Sequence, residues 1–327
     1  MTPRMLFAAA VLSGGAALSG QAVNADGPLL SFPLDCVPGE ECYIQTLVDV
    51  QPGEGHADFQ CTHAARDDHR GTDFALRSLA DLENNIAVLA AAPGTVQGVR
   101  DGMPDIASNA PNAPDITGRE CGNGVAIVHG NGWRTQYCHL KEGSVVVRQG
   151  QRVERGETIG ILGLSGWTSY PHLHMNLTRN GEIVDPFDPE SDPTCVPPPD
   201  SQWLNDPPFS PGGFVRAGVS GIQPSYDVIK QGGYAEKTVP ASAPVMILWA
   251  QVYQVTEGDS LRMIITGPDD FTFDSTVAFE KWQEQAMRFA GRRLRGAGWP
   301  QGEYVGTFLL SRKSALVASE VISFSVN

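Results

Sequence analysis

Short runs of alternating apolar and polar residues, each closed by glycine, dominate the chain between residues 61 and 195. The runs 86–91, 124–129, 135–140, 144–148, 158–162 and 172–177 suit strands and are too short for ordinary helices. Residues 43–48 carry the same signal upstream. Such spacing predicts a compact antiparallel β-sheet or barrel-like domain over residues 61–190, preceded by an N-terminal segment over 26–60. Residues 101–120 hold Pro104, Pro111 and Pro114 among polar neighbours and read as a surface insertion.

A dense proline stretch follows, from Pro186 through Pro197-Pro198-Pro199 to Pro211. It reads as a stiff, extended linker over residues 191–212. Beyond it the pattern resets. Residues 214–219, 245–255, 261–266, 287–294, 304–311 and 317–326 read as strands, and residues 279–285 as a short helix. About six or seven strands over residues 213–327 predict an immunoglobulin-like β-sandwich. The expected fold class is therefore all-β: a small antiparallel sheet or barrel-like domain, then a sandwich.

The first 25 residues differ in kind. Arg4, the apolar stretch from Met5 to Leu18 and the small residues Val23-Asn24-Ala25 read as a secretory signal ending at Ala25. The apolar run is too short and too rich in glycine to span ~30 Å of hydrocarbon, so no stable membrane insertion is expected. The formal net charge of -14 speaks against nucleic acid and anionic lipid as partners. Six cysteines after an export signal favour disulfides, with about 15 pairings open. Cys36–Cys42 would close a short loop around Pro38-Gly39, and Cys121–Cys138 would join neighbouring strands, leaving Cys61 and Cys195. No CxxC occurs, which argues against a cysteine metal site.

The seven histidines all lie between residues 56 and 174, the concentration that a metal site needs. In His172-Leu173-His174 the two imidazoles share one strand face. In His69-Arg70-Gly71-Thr72-Asp73 the glycine permits a tight turn that lets imidazole and carboxylate converge, and both are zinc donors. His63 and Asp67 have the same spacing but lack the glycine and the apolar run that follows, so His69 and Asp73 are preferred. Alternation places Tyr137 and His139 on one face. Each piece alone has a plainer reading: two surface histidines, a solvated turn, a half-buried strand histidine. His129 reads as structural or loop-exposed. Trp167 and Tyr170 either line a groove or simply pack.

Together the pieces resemble the lysostaphin/LytM-like zinc endopeptidases. The order His-x-Gly-x-Asp, Tyr-x-His-Leu and His-Leu-His carries the resemblance, with Ala92-Pro93-Gly94-Thr95-Val96 and Gly156-Glu157-Thr158-Ile159-Gly160 between. It covers about residues 65–187. It implies that His69, Asp73 and His174 bind Zn2+, and that His139 and His172 are the catalytic histidines, base and oxyanion stabiliser in either order. It implies an endopeptidase acting on peptidoglycan peptides in the periplasm or outside the cell. The alternative is a non-catalytic wall-binding activator of a separate amidase. A third reading gives the sandwich a wall or protein ligand of its own.

Overall fold

The computed structural model describes residues 27–190, 195–196 and 200–327; the leader read at residues 1–25 and the Pro197-Pro198-Pro199 run lie outside them. The first unit carries β1 (Cys42–Thr46), β2 (Thr72–Leu76), β3 (Ala87–Leu89), β4 (Gly94–Arg100), β5 (Asn123–Gly130), β6 (Trp133–Leu140), β7 (Arg152–Val153), β8 (Thr158–Ile161), β9 (His172–Arg179) and β10 (Glu182–Val184). Eight of these form one sheet in the order β1-β2-β9-β6-β5-β4-β7, with β10 also paired to β9. The pairs are antiparallel, and the sheet stays open rather than closing into a barrel. β3 and β8 form a separate two-stranded ribbon.

Alternation explains why this sheet holds a site. Leu173, Met175 and Leu177 of β9 enter the core with Phe74 of β2 and Tyr137 of β6. Each such buried side chain contributes about 1.5–3 kcal/mol. The intervening residues, His172 and His174, must then face the other side of the sheet. Residues 144–148 depart from expectation. They join no ladder: the Val146 amide donates to the Ile159 carbonyl at 3.2 Å and Val147 enters the core, but the Val146 side chain is 67% exposed.

The flanking segments belong to the same core. Leu30, Leu34, Ile44, Leu47 and Phe59 pack into it, and β1 adds an edge strand beside β2. The proline-rich segment does not simply span a gap. Trp203 is buried against Phe74 and Phe187, and the Leu30 amide donates to the Gln202 carbonyl at 2.7 Å. All six cysteines are paired, as Cys36–Cys42, Cys61–Cys195 and Cys121–Cys138. Cys61–Cys195 ties the segment after β10 back across a separation of 134 residues. Closing a loop that long restricts the unfolded chain by roughly 4–5 kcal/mol.

The second unit carries β11 (Gly213–Ser220), the short helix α1 (Tyr226–Lys230), β12 (Thr238–Val239), β13 (Val245–Val255), β14 (Ser260–Thr266), β15 (Thr272–Ala278), β16 (Gln283–Arg293), β17 (Gly302–Arg312) and β18 (Ala315–Val326). A three-stranded sheet, β11-β13-β16, faces a five-stranded one, β12-β18-β17-β14-β15. Met246, Leu248, Ala250 and Val252 of β13 meet Leu261, Phe308 and Phe324 between them. The helix expected at 279–285 is absent. Phe279 is pulled into this core and Gln283 already begins β16, so tertiary burial overrides the local pattern.

β13 is buried on both faces. Its outward residues include Tyr253, whose ring stacks at a tilt 4.7 Å from Tyr43 of β1, and Gln251, which donates to Gln285 of β16. The two units are thus packed directly on each other through β1.

Asp185, next to β10, is buried, with Oδ1 accepting the Phe187 amide at 2.9 Å and Oδ2 unbonded. Burial, aided by the Asp188 and Asp58 carboxyls, pushes its pKa up to about 7. The unfolded group titrates near ~3.9, so the folded chain holds this proton more tightly. The resulting stability is full below about pH 4 and is lost as pH rises through about 7. Asp185→Asn is expected to raise the melting temperature at pH 8, equivalent to roughly 1–4 kcal/mol, and to change it little at pH 4. Thermal unfolding at the two pH values checks this.

Candidate metal centre and active site

The pairing of β2 with β9 sets Asp73 directly opposite His174, and Ala75 opposite His172. Cross-strand partners share a face, so the carboxylate and both imidazoles come to one side of the sheet. His69 reaches the same point from the turn before β2. Donor atoms of His69, Asp73 and His174 lie within 4.8 Å of one another. His174 Nδ1 is 2.8 Å from Asp73 Oδ1, and His69 Nε2 is 3.1 Å from Asp73 Oδ2.

Main-chain carbonyls orient three of the rings. His69 Nδ1 donates to the Leu47 carbonyl at 2.6 Å, His139 Nδ1 to Ser165 at 2.8 Å, and His172 Nδ1 to Tyr170 at 2.9 Å. Each bond places the proton on Nδ1 and leaves Nε2 as a free lone pair. His69 Nε2 is buried and makes no hydrogen bond of its own. A bare lone pair facing a carboxylate oxygen requires a proton or a metal cation between them. Two imidazoles and a carboxylate fit a divalent ion with a fourth position left open.

The space around this group is held by Gly71. A Cβ there would lie 2.7 Å from His174 Cε1 and 2.7 Å from the Met175 carbonyl oxygen. The glycine in the His-x-Gly-x-Asp run therefore serves close approach. Its turn also differs from the upstream alternative. His63 and Asp67 do not join the group; the His63 ring lies against His56 instead, at 5.7 Å.

His139 reaches the site by breaking alternation. Tyr137 pairs with Met175 on the core face, and its hydroxyl accepts the Ala91 amide. His139 therefore does not share Tyr137's face as expected. Its φ of +66° swings the ring to the opposite side, 4.8 Å from His172 and 6.2 Å from His174. A left-handed residue other than glycine costs of order 1–3 kcal/mol and tends to mark functional positions.

Burial would raise the Asp73 pKa, but the neighbouring His69 and His172 and the hydrogen bond from His174 hold it well below the usual range. Burial lowers His69, yet Asp73 outweighs it and the net shift is upward. Burial, reinforced by neighbouring histidines, keeps His139 well below the ordinary imidazole range. Burial likewise lowers His174. Asp73 is thus held ionised and His174 is held towards its neutral form, the protonation states that metal coordination needs.

His129 stands apart. It is bonded to the Pro93 carbonyl and the Thr135 hydroxyl, a structural role. Trp167 is 71% exposed at the rim of the cleft above the site, while Tyr170 packs inward and donates to the Arg77 carbonyl at 2.5 Å. The insertion at 101–120 is anchored at its base, where the Met103 amide and carbonyl both bond Asn123 of β5. The orienting carbonyls of Leu47, Ser165 and Tyr170 had no signal in the sequence, since every residue carries one.

The model of Peptidase family M23 matches residues 67–186, the stretch that contains all five candidate site residues. Residues 67–186 are thus similar to Peptidase family M23 and form the M23 segment of the chain. The M23 segment is 35% identical over 117 residues to peptidoglycan DD-endopeptidase ShyA of Vibrio cholerae, covering 36% of this chain and 22% of that protein. It is 45% identical over 65 residues to peptidoglycan DD-endopeptidase ShyC of the same organism, covering 20% and 14% of the two chains. The chain thus spans about a fifth or less of the length of these relatives. The catalytic domain of lysostaphin from Staphylococcus simulans is 24% identical, with 36% of this chain and 75% of that one covered and a TM-score of 0.26.

Gly71→Ala is expected to force the His174 ring away from Asp73 and to destabilise the M23 domain by about 1–3 kcal/mol. Thermal unfolding, with the His174 resonances followed by NMR, checks both parts.

Proposed function

We propose that this chain is an exported zinc endopeptidase that hydrolyses peptide bonds of peptidoglycan. The observation that carries this reading is the convergence of His69, Asp73 and His174, with His139 and His172 beside them, each held to a main-chain carbonyl through Nδ1. The relatives' names, peptidoglycan DD-endopeptidases, support the substrate class. Three disulfides support maturation in an oxidising compartment, which fits the periplasm or the exterior. Among the described residues no helix is long and apolar enough to cross a membrane.

In this reading His69, Asp73 and His174 hold Zn2+, which supplies Lewis acidity and an acidified water when bound. His139 and His172 divide the remaining work. Both are buried and fixed at Nδ1, so each can accept a proton only at Nε2. One takes the proton of the attacking water and passes it to the departing amine. The other, once protonated, donates a hydrogen bond to the carbonyl oxygen as charge develops there. Their rings stand 4.8 Å apart, close enough for both to serve one reacting carbonyl. Asp73 Oδ1 lies 3.6 Å from His172 Nε2, which ties that ring to the metal-binding group.

Four single variants separate binding from chemistry. His174→Ala and Asp73→Ala are expected to lose zinc, measured by elemental analysis, and turnover on purified sacculi. His139→Ala and His172→Ala are expected to keep zinc and lose at least about a hundredfold in turnover. Wild-type turnover by any of the four, or zinc loading without release of wall peptides by the unmodified chain, counts against the reading.

A further inference from the structure

The cleft beside Asp73 and His172 has a second wall, and that wall belongs to the C-terminal sandwich. The cleft encloses about 530 Å³. Trp167 and His172 line it from the M23 segment; Lys230 of α1, Lys281 and Trp282 just before β16, and Glu284 within β16 line it from the other unit.

This second wall is fixed to the strand beside the site. Thr46 of β1 pairs with Asp73 of β2, and its hydroxyl donates to Glu284 at 2.7 Å. Gln285 donates to Gln45 at 2.8 Å and to the Tyr43 hydroxyl at 3.1 Å. Gln254 donates to the Gln45 carbonyl at 2.7 Å, and the Trp282 indole donates to the His63 carbonyl at 3.0 Å. The buried and part-buried bonds to Thr46, Gln45 and Tyr43 set the position of β16 against β1, and through β1 against Asp73. The sandwich cannot be a loosely tethered appendage with that many satisfied contacts.

Charge gives the wall a purpose. Arg66, Lys230 and Lys281 face Asp73 and Glu284 across the lining. Asp73 is engaged by imidazoles, and Glu284 accepts from Gln45 and Thr46 while lying 4.0 Å from Arg66. Lys281 is exposed and forms no ion pair among the described residues. Lys230 pairs with the solvent-exposed Asp227 at 3.4 Å and lies over the Tyr226 ring, 5.1 Å from its centroid. In a chain with 37 acidic and 23 basic residues, an unpaired Lys281 and a Lys230 paired only at its exposed end, both lining one cleft, run against the overall charge. They suit an incoming anion.

We propose that the C-terminal sandwich is a specificity-determining wall of this cleft, in which Lys281 and Lys230 seat a free carboxylate of the peptide being cut. The inference rests on the endopeptidase reading and names the substrate feature that reading leaves open. Neither lysine touches the metal-binding group, so their effect falls on substrate capture rather than on the chemical step.

The test uses the zinc-loaded full chain and pairs of synthetic wall peptides that differ only in a free or amidated carboxylate. KM for the free carboxylate is expected to be about tenfold lower. In the Lys230→Ala/Lys281→Ala double variant the two KM values should converge, with kcat within about twofold of the unmodified chain. The Lys230→Arg/Lys281→Arg variant should keep the preference, which a purely structural role for the lysine stems would not explain. Cleavage with no carboxylate preference, or a preference that survives the alanine variant, overturns this inference alone. No cleavage of any peptide overturns the endopeptidase reading and this inference with it.

Discussion

A single buried carboxylate organises this molecule. Asp73 is fully enclosed, and burial by itself would drive it to take up a proton. It stays ionised because His69, His172 and His174 surround it, each with a nitrogen within 3.6 Å of its oxygens. That arrangement is costly for a chain with nothing to gain from it, since buried charge is tolerated only with close compensation. The register of β2 against β9 exists to bring Asp73 and His174 face to face, and the apolar residues between them anchor that register in the core.

The constraint spreads outward from there. A one-residue slip of β2 would send Asp73 into the apolar core and Phe74 into the site. β1, the disulfide of Cys36 with Cys42, and the strapped segment carrying Trp203 all brace the side of the sheet on which β2 lies. On the same edge the sandwich docks through Tyr253 and Gln285. Site, sheet edge and second unit are therefore one mechanical assembly. The M23 match ends at residue 186, yet elements on both sides of it complete the surroundings of the site.

The imidazoles show how local geometry was and was not readable. His172 and His174 follow from strand alternation, and Gly71 flagged the tight approach beside Asp73. His139 followed only from the motif resemblance. Alternation assigned it to the face of Tyr137, and a positive φ overturned that assignment. Helix or strand at 279–285 was likewise undecidable locally, because the deciding contact is Phe279 against residues of the opposite sheet.

What the sequence by itself determined was the all-β character, while the domain bounds, the cysteine pairing and the metal donors were offered as expectations. These are short-range properties: period-two patterning, turn chemistry and donor spacing act over a few residues and are written in them. Only the tertiary structure decided that residues 26–60 extend the M23 sheet, that carbonyls of Leu47, Ser165 and Tyr170 aim the rings, and that the sandwich walls the cleft. Those outcomes depend on main-chain atoms common to all residues and on contacts between positions as far apart as Gln45 and Gln285, for which a linear pattern carries no local mark.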